Sequence, residues 1–277
     1  MGTILAPDAL RTDMVLLDAR MAADARARFR AGHLEGARFV DVEHDLSGDA
    51  SDPSHGGRHP LPAIEAWTRT LGRLGVTPDR TVVVYDEDDG AKAAARAWWM
   101  LRAVGHDDAY VLDGGLRAAT AAGWPVVSGE GPADADAPPY PADRWTLPMA
   151  VYEEIEAARR DPTRAVLDVR GRERYVGAVE PFEPVAGHIA GAINLPLAEN
   201  LDAQGRFLDA DALRAKYEPL LGGRAPDRLI VSCGSGITAC HTLLALERAG
   251  LTGAALYVGS FSEWSRRGGE IGTGEEP

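Results

Sequence analysis

The 277-residue chain carries one ordered set of short blocks twice. LLDAR at 16–20 returns as VLDVR at 166–170, and GHLEGARFVDV at 32–42 returns as GHIAGAINLPL at 187–197. VVVYDE at 82–87 matches LIVSCG at 229–234, and AYVLDGGLRAATAAGWPV at 109–126 matches AALYVGSFSEWSRRGGEI at 254–271. The offsets are 150, 155, 147 and 145 residues, always in the same order. Four collinear matches require a duplicated domain of about 130 residues, an ordinary size for a unit with its own core. The first domain is expected at 1–127 and the second at 146–277. Between them SGEGPADADAPPYPADRW, residues 128–145, is rich in Pro, Asp, Ala and Gly and reads as an extended linker.

Within each half, short β-branched runs (82–85, 110–112, 229–232, 255–258) alternate with helical patterns such as 91–104 and 242–249. Buried short strands alternating with helices indicate an α/β fold. Each domain is expected as a mostly parallel sheet flanked by helices on both faces. Trp98 and Trp99 are expected as core or interface aromatics.

The net charge of −13 argues against nucleic acid or an anionic membrane as a partner, since both demand clustered Lys and Arg. No apolar run reaches the roughly 18–20 residues that span a bilayer. MGTILAPDALRTD lacks a basic region followed by an apolar one, so no secretory signal is read and a reducing, cytoplasmic setting is expected. Two cysteines seven residues apart make no disulfide framework.

Both cysteines lie in LIVSCGSGITACHTLLAL, residues 229–246. Cys233 ends a buried parallel strand, where open α/β sheets bind ligands. Residues 234–238, Gly234-Ser235-Gly236-Ile237-Thr238, form a tight loop before a helix. Glycines let successive amides turn into one concavity, and the helix adds its positive end. Such a cradle favours a nucleophilic thiolate and needs neither a metal nor an organic cofactor. The alternative is a small buried hydrophobe. A phosphate loop of similar composition would carry a Lys, and none lies in or near this loop.

Taken together, LIVSC followed by GSGIT, the duplicated LDxR and GHxxGA blocks, and VVVYD with ARAWWMLRAVGHDDAYVLDGGL resemble the tandem-domain rhodanese family of sulfurtransferases over nearly the whole chain. The loop Cys-Gly-Ser-Gly-aliphatic-Thr is similar to its 3-mercaptopyruvate type, since thiosulfate enzymes tend to carry basic residues after the Cys. The resemblance implies two tandem rhodanese-like domains. It implies a Cys233 persulfide, charged by a small-molecule sulfur donor and discharged to cyanide or a thiol, including a thioredoxin-like one. Five or six converging amides are expected to hold that persulfide, each charge-assisted bond contributing roughly 1.5–3 kcal/mol. Asp86 aligns with Cys233, and EDDG at 87–90 adds negative charge, so the first domain is expected to be inactive and to wall the cleft.

The resemblance also implies that Arg174 grips the donor's anionic end, against the alternative of a solvated arginine. A second family arginine, expected after a Glu-Pro pair, is replaced here by Phe182 after Glu180-Pro181. Ser235 matches a serine that relays a proton with a histidine, for which His59 is the match, and an acid, for which Glu43 and Asp52 are the candidates. Ser235 offering only its amide and His59 being a plain loop residue remain open. HGGRH at 55–59 is not read as a metal site, because Gly-Gly breaks the helix that such spacing needs. Arg20 and Arg170 are expected as structural ion-pair partners, Thr238 as a helix cap by default, with a hydroxyl bond to the persulfide as the alternative, and Cys240 as a bystander. Two other classes fit the sequence less well: a cysteine-based phosphatase, whose loop needs an Arg where Ala239 stands, and a catalytically silent binding module, against which an intact Cys in an uncharged cradle argues.

Overall fold

The computed structural model describes residues 3–87 and 92–277. Asp88 and Asp89 of the EDDG stretch lie outside the described residues. The chain divides into two compact units: Met1–Gly48 with Pro62–Thr146 and Ala203–Phe207, and Asp49–Leu61 with Leu147–Asp202 and Leu208–Pro277. The segment that carries His59 is therefore part of the second unit, although it lies early in the sequence. No helix among the described residues is long and apolar enough to cross a membrane.

In the first unit β1 (Ile4–Leu5), β2 (Val15–Asp18), β4 (Arg38–Phe39), β5 (Val82–Tyr85) and β6 (Ala109–Leu112) form a parallel sheet in the order β1-β6-β5-β2-β4. A two-stranded antiparallel pair joins β3 (His33–Leu34) to β7 (Val126–Val127). Helices α1 (Ala25–Ala31), α2 (Ile64–Arg73), α3 (Ala93–Ala103) and α4 (Gly115–Ala121) flank the sheet. Trp98 and Trp99 on α3 are almost fully buried. Residues 128–145 have no regular structure and run along this unit. Backbone bonds fasten them there, from Gly129 to Arg30, Ala135 to Arg73 and Tyr140 to Thr68.

The second unit repeats the plan. Strands β8 (Met149–Ala150), β9 (Ala165–Asp168), β11 (Ile193–Asn194), β12 (Leu229–Ser232) and β13 (Ala255–Tyr257) pair in parallel in the order β8-β13-β12-β9-β11. β10 (His188–Ile189) pairs antiparallel with β14 (Ile271–Gly272). Its helices are α5 (Tyr152–Ala158), α6 (Arg172–Tyr175), α7 (Ala210–Leu221), α8 (Ala239–Arg248) and α9 (Ser260–Arg266). Val166, Ile230, Tyr257, Phe261 and Trp264 close one face of its core.

The repeated LDxR and GHxxG blocks have one physical cause. Arg20 donates to Asp18 at 2.7 Å and to the Gly32 carbonyl at 2.6 Å, and Arg170 donates to Asp168 at 2.6 Å and to the Gly187 carbonyl at 2.8 Å. Each buried arginine thus ties the end of an interior strand to the glycine before the histidine of the repeated block. Removing one partner of such a pair leaves an uncompensated buried charge, a loss of about 3–5 kcal/mol.

Candidate active site

β12 lies in the middle of its sheet. The chain leaves β9 toward β11 on one side and leaves β12 toward β13 on the other. The crevice beyond the carboxyl ends of β9 and β12 is therefore a topological switch point. The loop after β12 carries Cys233–Thr238, and the loop after β9 leads into α6 with Arg174.

Cys233 is 1% exposed, and neither it nor Cys240 is in a disulfide. Its Sγ receives the Gly236 N–H at 3.1 Å and lies 3.9 Å from the Ser260 hydroxyl. One amide thus reaches the resting sulfur, whereas the five or six amides are an expectation for the persulfide. Ile237 and Thr238 stand at the N-terminal end of α8, where helix geometry supplies backbone amides with no acceptor. Gly236 has φ +81°, and a Cβ there would stand 2.2 Å from the Val258 carbonyl oxygen, so only glycine fits. Gly234 faces the Arg174 guanidinium, whose Nη1 would be 3.2 Å from an added Cβ.

The cap reading of Thr238 needs correcting. Thr238 already has helical backbone angles (φ −77°, ψ −12°), and its side chain caps no amide. A side-chain cap needs an extended residue at that point. Cys240 is buried in the first turn of α8, where its thiol donates to the Gly236 carbonyl at 3.5 Å.

His59 and Ser235 are both buried, and His59 Nδ1 lies 2.7 Å from Ser235 Oγ. Gly57 allows this approach: its φ is +76°, and a Cβ there would fall 2.4 Å from the Gly259 carbonyl oxygen. Arg58 N–H donates to Ser262 Oγ at 3.2 Å, which fastens the same segment to α9. Of the candidate acids, Asp52 is exposed and its carboxylate receives Ser54 and His55. Glu43 is an exposed residue of the first unit whose amide donates to Asp41 at 2.9 Å.

Arg174 binds Glu180 through Nε and Nη2, at 3.2 and 2.7 Å, which leaves Nη1 toward the loop. Glu180 also receives Arg170 Nη1 at 3.2 Å. Burial opposes the charge on Arg170, yet the Asp168 and Glu180 carboxylates more than offset it and hold its pKa above the usual value. Glu183, fully buried, receives Arg58 Nε at 2.7 Å and a close contact from Arg266.

Sequence reasoning missed Arg58, Glu180, Glu183 and Ser260. Ser260 is the residue with positive φ other than glycine among the described ones (φ 51°), and its counterpart at an offset of 145 residues, Gly115, has φ 56°. A serine where the repeat has a left-handed glycine was the available signal. Its hydroxyl accepts the Cys233 N–H at 3.0 Å and donates to the Tyr257 carbonyl at 2.8 Å, so the strained backbone holds the loop in place.

The first unit has the same scaffold with different chemistry. Tyr85 pairs with Asp18 as Ser232 pairs with Asp168. Leu116 N–H donates to the Asp86 carbonyl at 2.8 Å, as Phe261 N–H does to that of Cys233 at 3.1 Å. Asp86 thus stands in the Cys233 position. Glu87, in the Gly234 position, receives Arg20 at 3.1 Å and Arg28 at 2.7 Å.

The rhodanese-like domain family matches residues 6–122 and again 151–267. A Pseudomonas aeruginosa protein whose name reads "Probable 3-mercaptopyruvate sulfurtransferase" is 42% identical over 261 residues, covering 91% of this chain and 89% of that protein. The thiosulfate sulfurtransferase of Mus musculus is 33% identical over 250 residues, covering 88% of this chain and 80% of that protein. The solved 3-mercaptopyruvate sulfurtransferase of Leishmania major superposes with a TM-score of 0.84 at 29% identity, covering 96% of this chain and 75% of that one.

Proposed function

The chain belongs to the rhodanese family and is a sulfurtransferase, and from that premise we propose that Cys233 carries the sulfur and that 3-mercaptopyruvate is the principal donor. The observation that supports this is the Cys233 loop itself. A buried cysteine at the end of the central strand has its sulfur on the Gly236 amide, Ser235 of its loop against the buried His59 of residues 49–61, and Arg174 Nη1 against Gly234.

In this reading Arg174 Nη1 takes the donor carboxylate. The Cys233 thiolate attacks the donor sulfur, the S–S bond forms, and the donor C–S bond breaks. Its electron pair stays on carbon as the enolate of pyruvate. The proton leaving the donor thiol passes through Ser235, backed by His59, to that carbon, which completes pyruvate and leaves the Cys233 persulfide as an anion. The persulfide then lies among the loop amides until cyanide or a thiol, such as that of a thioredoxin-like protein, attacks the outer sulfur and releases the Cys233 thiolate. These steps require neither a metal nor an organic cofactor.

Charge decides between donors. Around the mouth the guanidiniums of Arg58, Arg170, Arg174 and Arg266 meet the carboxylates of Asp168, Glu180 and Glu183. With the attacking Cys233 thiolate counted, four cations and four anions balance, so the mouth offers no net positive charge to the compact thiosulfate dianion but one free Arg174 edge to a single carboxylate. The first unit, with Asp86 and Glu87 in its corresponding loop, has no sulfur-carrying group there and acts as a non-catalytic unit. A cytoplasmic setting agrees with two free cysteines.

The test is intact mass after incubation with each donor. The wild-type chain is expected to gain one sulfur atom, about 32 Da, and Cys233→Ser none. No gain with either donor, or a gain that survives Cys233→Ser, refutes the proposal.

A further inference from the structure

Residues 180–184, Glu-Pro-Phe-Glu-Pro, place a phenyl ring between two buried carboxylates. Phe182 is 56% exposed, so it contributes little to the core. Its position is nevertheless fixed, because its N–H donates to Glu180 Oε1 at 3.1 Å. The guanidinium carbons of Arg58 and Arg174 lie 4.9 and 5.2 Å from its ring centroid, within cation–π range. Each arginine is also held along one edge, Arg58 by Glu183 and Arg174 by Glu180. The ring covers guanidinium faces and the glutamates take one edge of each. What remains for a ligand is the other edge, and for Arg174 that edge faces Gly234 of the cysteine loop.

We propose that Phe182 is a positioning residue that sets donor specificity: by covering the faces of Arg58 and Arg174 it fixes their free edges for one planar carboxylate and disfavours a compact dianion. The inference rests on the sulfurtransferase reading and names the substrate class of that site, thiol-bearing 2-oxo acids with a single carboxylate. A dianion gathers cationic charge from several directions, whereas a carboxylate needs one correctly aimed edge. Phe182 provides the aim and adds no charge.

The test compares wild type, Phe182→Leu and Phe182→Arg with 3-mercaptopyruvate and thiosulfate as donors and cyanide as fixed acceptor. Leucine keeps apolar bulk without a π face, and arginine adds a charge with no carboxylate of its own. Phe182→Arg is expected to raise kcat/KM for thiosulfate relative to 3-mercaptopyruvate by roughly tenfold or more. Phe182→Leu is expected to raise KM for 3-mercaptopyruvate by roughly fivefold with kcat within about twofold, since the chemistry at Cys233 is untouched. A donor ratio that stays within about twofold in both variants overturns the inference, as does a parallel fall in kcat for both donors, the mark of a merely structural loop residue. If wild type forms no persulfide with either donor, the sulfurtransferase reading itself fails. A normal wild-type persulfide with an unchanged ratio fails only the role of Phe182.

Discussion

Two glycines of the cysteine loop, two residues apart, should respond differently to the same added methyl group. Gly236 has φ +81°, a conformation that costs an L-residue about 1–2 kcal/mol. Its new Cβ would also lie 2.2 Å from the Val258 carbonyl oxygen, so backbone must move by about 1 Å to reach an ordinary contact. That movement displaces the Gly236 N–H, now 3.1 Å from Cys233 Sγ. A hydrogen bond to a charged acceptor contributes about 1.5–3 kcal/mol, which corresponds to roughly 10- to 150-fold in rate if it acts fully on the sulfur. Gly234 has no positive φ, and its Cβ would meet only the tip of Arg174, at 3.2 Å, which can shift by a few tenths of an ångström. Gly234→Ala is therefore expected to fold normally, form the persulfide at a near-normal maximal rate and raise the donor KM. Gly236→Ala is expected to slow persulfide formation itself. Single-turnover mass measurement of sulfur gain, at a temperature where circular dichroism shows both variants folded, separates the two. A Gly236→Ala rate within about threefold of wild type, or equal damage from both substitutions, would refute the account of the loop.

Asp168→Asn leaves the buried Arg170 short of its strongest partner and is expected to lower stability by about 3–5 kcal/mol in urea unfolding; a loss below about 1 kcal/mol would contradict it. His241 on α8 is fully buried, and burial holds its imidazole down to about 3, against 6.5 for an ordinary histidine. The unfolded chain therefore binds the proton first. The stability is complete above pH 6.5 and declines as pH falls toward 3, by about 2 kcal/mol at pH 5. Denaturant titrations at pH 7 and pH 5 should show this decline in wild type and lose it in His241→Asn; an equal decline in both would refute the assignment.

Much of the fold was legible because duplication records itself as order. The LDxR and GHxxG blocks recur because a buried arginine needs its aspartate and the same glycine carbonyl in both copies, and that geometry tolerates little change. The Cys233 loop was legible for a related reason, since a glycine forced because an added Cβ would lie 2.2 Å from a backbone carbonyl oxygen leaves a mark in composition. Thr238 misled, because composition marks a capping type while only backbone angles decide whether it caps.

The sequence by itself determined the two parallel-sheet units, the cysteine at the end of the second unit's central strand, and its replacement by Asp86 in the first. All of these follow from local pattern and its repetition. The tertiary structure alone decided that residues 49–61 pack in the second unit and bring His59 to Ser235, 176 positions away. It also decided that Glu180 and Glu183 restrain the arginines of the mouth under Phe182, and that Ser260 steadies Cys233 from a left-handed backbone. Such contacts depend on where a loop returns in space and which buried charge it must neutralise, and neither has a period along the chain.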